Sequence, residues 1–326
     1  MYQPDQRAVI LDMDLGIDDA IALLYLASRP NVSIEAAGSV HGNTPADLAA
    51  GNLRRVLALA GMPAVPVARG AMRPLVRDAH FAGEVHGDDG LGNTVAPGDV
   101  APGADAPESA PEQLVRLARS APGRYDVLAT GPLTNLGLAL ILEPELPSLV
   151  RSVVIMGGSA AYGGNMSSVA EANIWHDPEA AKLVFDAAWP ITMAGLDVTM
   201  RTMLDEAALA RIAEGTSSHA RFATAILRHY LGFYEMITGR RACPLHDPTA
   251  AAVLADPTLI TRALDGDVTV ATGDDARGQT IVDRRKDGQP WQAAQAGPRT
   301  IVMEIDGPRF VDDLVETLLR GGEALG

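Results

Sequence analysis

The chain has 326 residues, 47% of them hydrophobic and 21% charged, with a formal net charge of −15 at pH 7. An acidic chain of this kind excludes a nucleic-acid partner, whose phosphates call for a basic surface, and no run of about 18 apolar residues is present to cross a membrane as a helix. A single cysteine, Cys243, excludes an internal disulfide and fits a reducing, cytoplasmic setting, and the opening MYQPDQRAVILDMD has no long apolar segment that would read as a secretion signal.

In chain order, AVILDM (8–13) reads as a buried strand and DDAIALLYLASR (18–29) as the helix after it. SIEAAGSV (33–40) and PADLAAGNLRRVLALAG (45–61) repeat the pair, PAVPVARG follows, and a loop-rich stretch runs from 70 to 108. A helix at 110–120, YDVLATG (125–131), PLTNLGLALIL, SVVIMGG (152–158), DPEAAKLVFDAA (177–188) and PITMAGL (190–196) continue the alternation. The segment 216–240 reads as one long helix carrying Phe222, Tyr230, Phe233 and Tyr234, and PLHDPTAAAVLA (244–255) comes next. Three strand-like runs, DGDVTVA, QTIVDRR and RTIVMEID, precede a last helix, PRFVDDLVETLLRG. Alternating strands and helices predict an α/β fold, a mostly parallel open sheet flanked by helices. No linker divides the chain, so residues 1–326 are expected to form a single domain. In such sheets ligands bind beyond the carboxyl ends of the strands. Those ends read DMDLG, SVHGN, ATGPLTN, VIMGGS and AGLD, one rim crowded with polar and glycine residues.

The first of them packs Asp12, Asp14, Asp18 and Asp19 into eight residues. Carboxylates this close repel, raise one another's pKa values or find a cation. Asp18 and Asp19 stand where a helix begins, so capping and dipole compensation account for them plainly. Asp12 and Asp14 alternate at the end of a strand and are predicted to face the same side, with Gly16 turning the helix start back over them. The resulting pocket is all oxygen, suited to Ca²⁺ or Mg²⁺ rather than to Zn²⁺. An apolar strand ending in D-x-D also opens haloacid-dehalogenase-type phosphatases, which usually place a small hydroxyl residue soon afterwards; here the chain continues Leu15, Gly16, Ile17.

D-x-D-x-G-x-D-D-A resembles the opening motif of the inosine–uridine-type nucleoside hydrolases, and the likeness runs through nearly the whole chain. In order come VHGN (40–43), VHGDDGLGN (85–93), TGPLTN (130–135), VIMGGS (154–159), GNMSSVAEANIWHDPEAA (164–181) and LHDPTA (245–250). The resemblance implies a Rossmann-like nucleoside hydrolase fold, a nucleoside substrate, a resident Ca²⁺ ion and a homodimer or homotetramer engaged in purine and pyrimidine salvage. It implies that Asp14, Asp19, the Thr130 carbonyl and Asp247 hold the ion, with Asp12 beside them orienting ligands. Asp18 would bind ribose hydroxyls, Asn43, Asn165, Glu171 and Asn173 would surround the sugar, and Met156 would lie beneath it.

The chemistry accounts for these residue types. Cleaving an N-glycosidic bond builds oxocarbenium character on ribose and negative charge on the base. Calcium orients water and makes it more acidic, and Asp14 is then the natural general base. His246, next to Asp247, reads as the group that assists the departing base, although a lone histidine is more often a surface or core residue. Tyr230 and Tyr234 share a helix face; such a pair is usually core, but the resemblance implies that they wall the base pocket, where family members carry a tyrosine twelve residues before the histidine. His86 and His41 stand on loops beside the site, and the stretch 70–108 is long enough to serve as a lid. Cys243 reads as packing. Two positions depart from the family pattern: Leu15, where proline is common, and Ala172, where phenylalanine is frequent, which leaves purine or pyrimidine preference open. A phosphatase, or a nucleoside-binding module without turnover, is the alternative from another class.

Overall fold

The computed structural model describes residues 6–96, 98–99, 101–283 and 298–322. Its strands are β1 (Arg7–Met13), β2 (Val32–Ser39), β3 (Pro66–Ala68), β4 (Ala104–Asp105), β5 (Tyr125–Ala129), β6 (Ser152–Met156), β7 (Ile191–Ala194), β8 (Met203–Leu204), β9 (Cys243–Pro244), β10 (Ile260–Asp265), β11 (Val268–Val270), β12 (Thr280–Val282) and β13 (Arg299–Ile305). Nine of them form one sheet in the order β10-β13-β7-β6-β5-β1-β2-β3-β4, parallel except where β10 pairs antiparallel with β13. The mostly parallel sheet flanked by helices is the architecture that the alternation predicts.

β1 lies between β2 and β5 and is buried on both faces, so it reads as an unbroken apolar run. Val9, Leu11 and Met13 pack into the core on one face with the helices Ile17–Ala27 and His246–Ala255; Ala8 and Ile10 pack into the core on the other. From β1 the sheet grows through β2, β3 and β4 in one direction and from β5 through β7 in the other. The two directions part between β1 and β5, where an open parallel sheet leaves a crevice at its carboxyl edge.

The long helix spans Ser218–Thr238 and stops at Gly239, in the left-handed conformation at φ 68°. The stretch 70–108 carries one helical turn, Gly83–His86, and the short edge strand β4. DGDVTVA and QTIV do not extend the main sheet; β11 and β12 pair as a separate ribbon, and residues 284–285 of QTIVDRR lie outside the described residues. Among the described residues no helix is long and apolar enough to cross a membrane.

Candidate active site

A cavity of about 250 Å³ opens at the carboxyl edge of the sheet, over the point where the strand order reverses. Four carboxylates gather at or beside it, Asp18 and Asp247 lining the cavity itself. Asp14 directly follows β1, Asp18 and Asp19 occupy the first turn of the helix Ile17–Ala27, and Asp247 sits in the first turn of the helix His246–Ala255. All four are buried. One oxygen from each of Asp18, Asp19 and Asp247 lies within 4.8 Å of the others, and the charge of Asp14 bears on Asp247.

Burial, reinforced by mutual repulsion, holds Asp14 and Asp247 well above the usual carboxylate range. Burial raises Asp18 and Asp19 to about 6, with repulsion from Asp18 adding to the shift of Asp19. Two helix N-termini aimed at the cluster offset part of that cost. Among the described residues no lysine or arginine pairs with any of the four. His86 comes nearest, its Nδ1 3.8 Å from Asp18 Oδ1, yet that nitrogen accepts the Ile17 N–H at 3.1 Å and burial pushes the ring down to about 4, so it stays neutral. Asp18 Oδ1 is buried without a hydrogen-bond partner. An all-oxygen set with surplus negative charge fits a hard divalent cation, and the aspartate cluster could hold a metal ion.

The capping reading of Asp19 is half of its role in the fold. One oxygen accepts the Gly16 N–H at 2.8 Å, closing the helix start, and the other accepts the Thr130 hydroxyl at 2.6 Å. Asp14 accepts the Asn43 N–H at 2.6 Å on Oδ2 and its side-chain amide at 3.1 Å on Oδ1. The Thr130 carbonyl accepts from the Asn173 amide at 2.8 Å, and the same amide reaches the Met156 carbonyl at 3.1 Å. Glu171 caps the helix Ala172–His176, accepting the N–H groups of Gly158, Asn173 and Ile174; burial nevertheless raises it to about 7. Asn165 lines the exposed lip of the cavity and accepts the Ala172 N–H at 3.0 Å.

Asp12 accepts from the Asn135 amide at 2.7 Å, and burial raises it to about 7. His41 does not line the cavity; it is buried with Nε2 3.0 Å from the Thr134 hydroxyl.

The opposite wall comes from the long helix. Tyr230, Phe233, Tyr234 and Ile237 line it at the spacing of one helix face. Tyr230 donates to Asp18 Oδ2 at 3.2 Å, and the Tyr234 hydroxyl lies 3.1 Å from His246 Nε2. The other His246 nitrogen is 2.9 Å from the Thr199 hydroxyl, and burial pushes the ring down to about 3. Sequence reasoning missed Phe233 and Ile237 as lining residues, although their i, i+3, i+4, i+7 pattern with the tyrosines was legible. It also missed His80 and His176, which line the cavity, and Thr199, which touches His246 from outside the lining and for which only its place after AGLD gave a signal. Among the described residues no lysine or arginine lines the cavity. Cys243 is buried, its thiol pushed up to about 12, as packing requires.

The profile of the inosine-uridine preferring nucleoside hydrolases matches residues 9–312. The chain belongs to that family. An inosine-uridine preferring nucleoside hydrolase from Crithidia fasciculata is 35% identical over 97% of this chain and 99% of its own length. A pyrimidine-specific ribonucleoside hydrolase from Shewanella woodyi is 38% identical over 96% and 98%. The solved structure of a plant nucleoside hydrolase, PpNRh1, superposes with a TM-score of 0.89 at 30% identity, covering 96% of this chain and 99% of that one. This hydrolase is an N-glycosidase that cleaves the N-glycosidic bond of ribonucleosides.

Proposed function

We propose that the cavity holds Ca²⁺ between Asp14, Asp19, Asp247 and the Thr130 carbonyl, and hydrolyses ribonucleosides with Asp14 as general base and His246 assisting the departing base. The observation that carries the reading is the set of four buried, mutually repelling carboxylates without a paired lysine or arginine among the described residues, facing an aromatic wall that ends in a tyrosine–histidine pair. Bound Ca²⁺ supplies positive charge that acidifies a water and fixes ribose hydroxyls.

The chain's own residues do the rest. Asn43 holds Asp14 by both carboxylate oxygens, so its free lone pairs are aimed when a water proton has to be accepted. Asp18, with one oxygen unpartnered, accepts a sugar hydroxyl. Asn173 uses its amide hydrogens on Thr130 and Met156, which leaves its carbonyl oxygen for the sugar. Glu171 and Asn165 border the sugar on the lip side, and Met156 gives it an apolar floor. Glu171 also lies where negative charge favours developing oxocarbenium character. Tyr230, Tyr234 and His86 flank the base, while Asp12 acts through Asn135 to hold the strand end. Residues 70–108 form a lid over the bound nucleoside.

The reading extends to residues 1–326 acting as one domain, in cytoplasmic purine and pyrimidine salvage, as a homodimer or homotetramer. The buried thiol of Cys243 suits that compartment. The experiment is a panel of purine and pyrimidine nucleosides scored for released ribose, with and without a chelator, and with Ca²⁺ or Mg²⁺ added back. Release that needs Ca²⁺ supports the reading and reveals the base preference; full release in chelator overturns it.

A further inference from the structure

One buried hydroxyl beside the site has no part in the reading so far. Thr199 ends the short helix Leu196–Thr199 that follows β7, is fully buried, and stands outside the cavity lining. Its Oγ1 lies 2.9 Å from His246 Nδ1, and the Tyr234 hydroxyl lies 3.1 Å from Nε2 across the ring. Among the described residues the Thr199 hydroxyl makes no other hydrogen bond.

These contacts fix which way the hydrogen bonds run. Both partners of the ring are hydroxyls, and neither calls for a cationic imidazole. A neutral ring carries one proton and offers one acceptor. With the proton on Nδ1, Thr199 would accept it, and its own O–H would be buried with nothing to receive it. An unmade buried donor costs more than a typical hydrogen bond contributes. With Thr199 donating, Nδ1 is the acceptor and the ring proton sits on Nε2, pointing at the Tyr234 oxygen. Tyr234 then accepts from the ring, and its phenolic proton is left free to turn to the cavity that both tyrosines line, beside the Tyr230 hydroxyl, whose own proton goes to Asp18. The opposite tautomer would take the Tyr234 proton onto Nε2 and hold it away from a leaving base.

We infer that Thr199 is a positioning residue that fixes the Nε2–H tautomer of His246 and so frees the Tyr234 proton for the departing nucleobase. The inference rests on the leaving-group reading of His246 and deepens it. As the C1′–N bond breaks, its electron pair goes to the base; the Tyr234 O–H bond breaks and a base N–H bond forms. The phenolate is held by Nε2–H until a solvent proton restores it.

The test compares Thr199→Val, Thr199→Ser and His246→Ala on whichever of inosine and uridine the enzyme cleaves, and on 4-nitrophenyl riboside, whose leaving group departs without a proton. Positioned acids contribute about 100-fold or more, so Thr199→Val is expected to lower kcat on the nucleoside by about tenfold or more. It should leave KM within about twofold and the nitrophenyl riboside rate nearly unchanged, while Thr199→Ser restores most of the loss. Equal losses on both substrates, or no loss at all, overturn the assignment. Nitrogen-15 shifts of the His246 ring in chelator-treated protein give a readout free of turnover: a protonated Nε2 in the parent and mixed tautomers in Thr199→Val support it, and a protonated Nδ1 in the parent overturns it. His246→Ala separates the two failures. A substrate ratio that His246→Ala does not move overturns the histidine's role itself; one moved by His246→Ala but not by Thr199→Val overturns only the threonine's.

Discussion

In the proposed mechanism Asp14 and His246 divide the reaction between its two ends, and their substitutions should show it. Asp14→Ala removes the proton acceptor for water and one wall of the cation site, so activity is expected to fall on every nucleoside by at least about 100-fold; a variant that keeps near-parent kcat on any of them would place the base elsewhere. His246→Ala should hurt most where the leaving base is poorest, and an even loss across the panel would deny it that role. Asp12 gives a prediction of another kind. Its carboxyl is raised from the model-peptide value of 3.8 to about 7, chiefly by burial, so the folded chain binds that proton more tightly than the unfolded one. The stability this contributes is complete below about pH 4 and is lost as pH rises through about 7. In chelator-treated protein Tm should therefore fall across that window, and Asp12→Asn should flatten the fall. An Asp12→Asn protein with the parent's slope would assign the titration to another group.

At the scale of elements, the turns that follow the strands decide whether these side chains meet. Gly42, in the loop after β2, has φ 156°, and a Cβ placed there would collide with Asp14 Oδ2. Gly42→Ala is expected to displace the Asp14 carboxylate and lower both activity and cation affinity by about tenfold or more, the range seen when the support of a ligand is disturbed; unchanged affinity by calorimetry would show that the loop yields. This level also separates what the sequence disclosed from what it did not. The strand–helix alternation was legible because parallel strands buried on both faces are apolar throughout, and the aspartate cluster was legible because helix capping accounts for Asp18 and Asp19 but not for Asp12 and Asp14. Which partner Asp12 takes was not legible: Asn135, whose amide it accepts, lies 123 residues further along the chain. The Thr199 hydroxyl on His246 was hidden, since it lies 47 residues away until the turn after β7 folds against the helix His246–Ala255. Spacing discloses what one element shows on one face; it does not disclose which distant elements will face each other.

For the molecule as a whole, a cation bound only by the folded form shifts the unfolding equilibrium. At a free concentration about a hundred times its Kd the gain is about 2.7 kcal/mol, so chelation is expected to lower Tm by several degrees and to sharpen the sensitivity to rising pH. An identical Tm with and without chelator at saturating Ca²⁺ would mean that the four carboxylates stand together without an ion. Those carboxylates belong to residues 14–19 and 247, with Thr130 between them in sequence. During synthesis, then, an emerging chain has its first acids exposed long before the last one is made. A chamber for an ion can come into existence only after the ribosome has added Asp247, so any metal uptake would mark a late step of folding rather than its beginning.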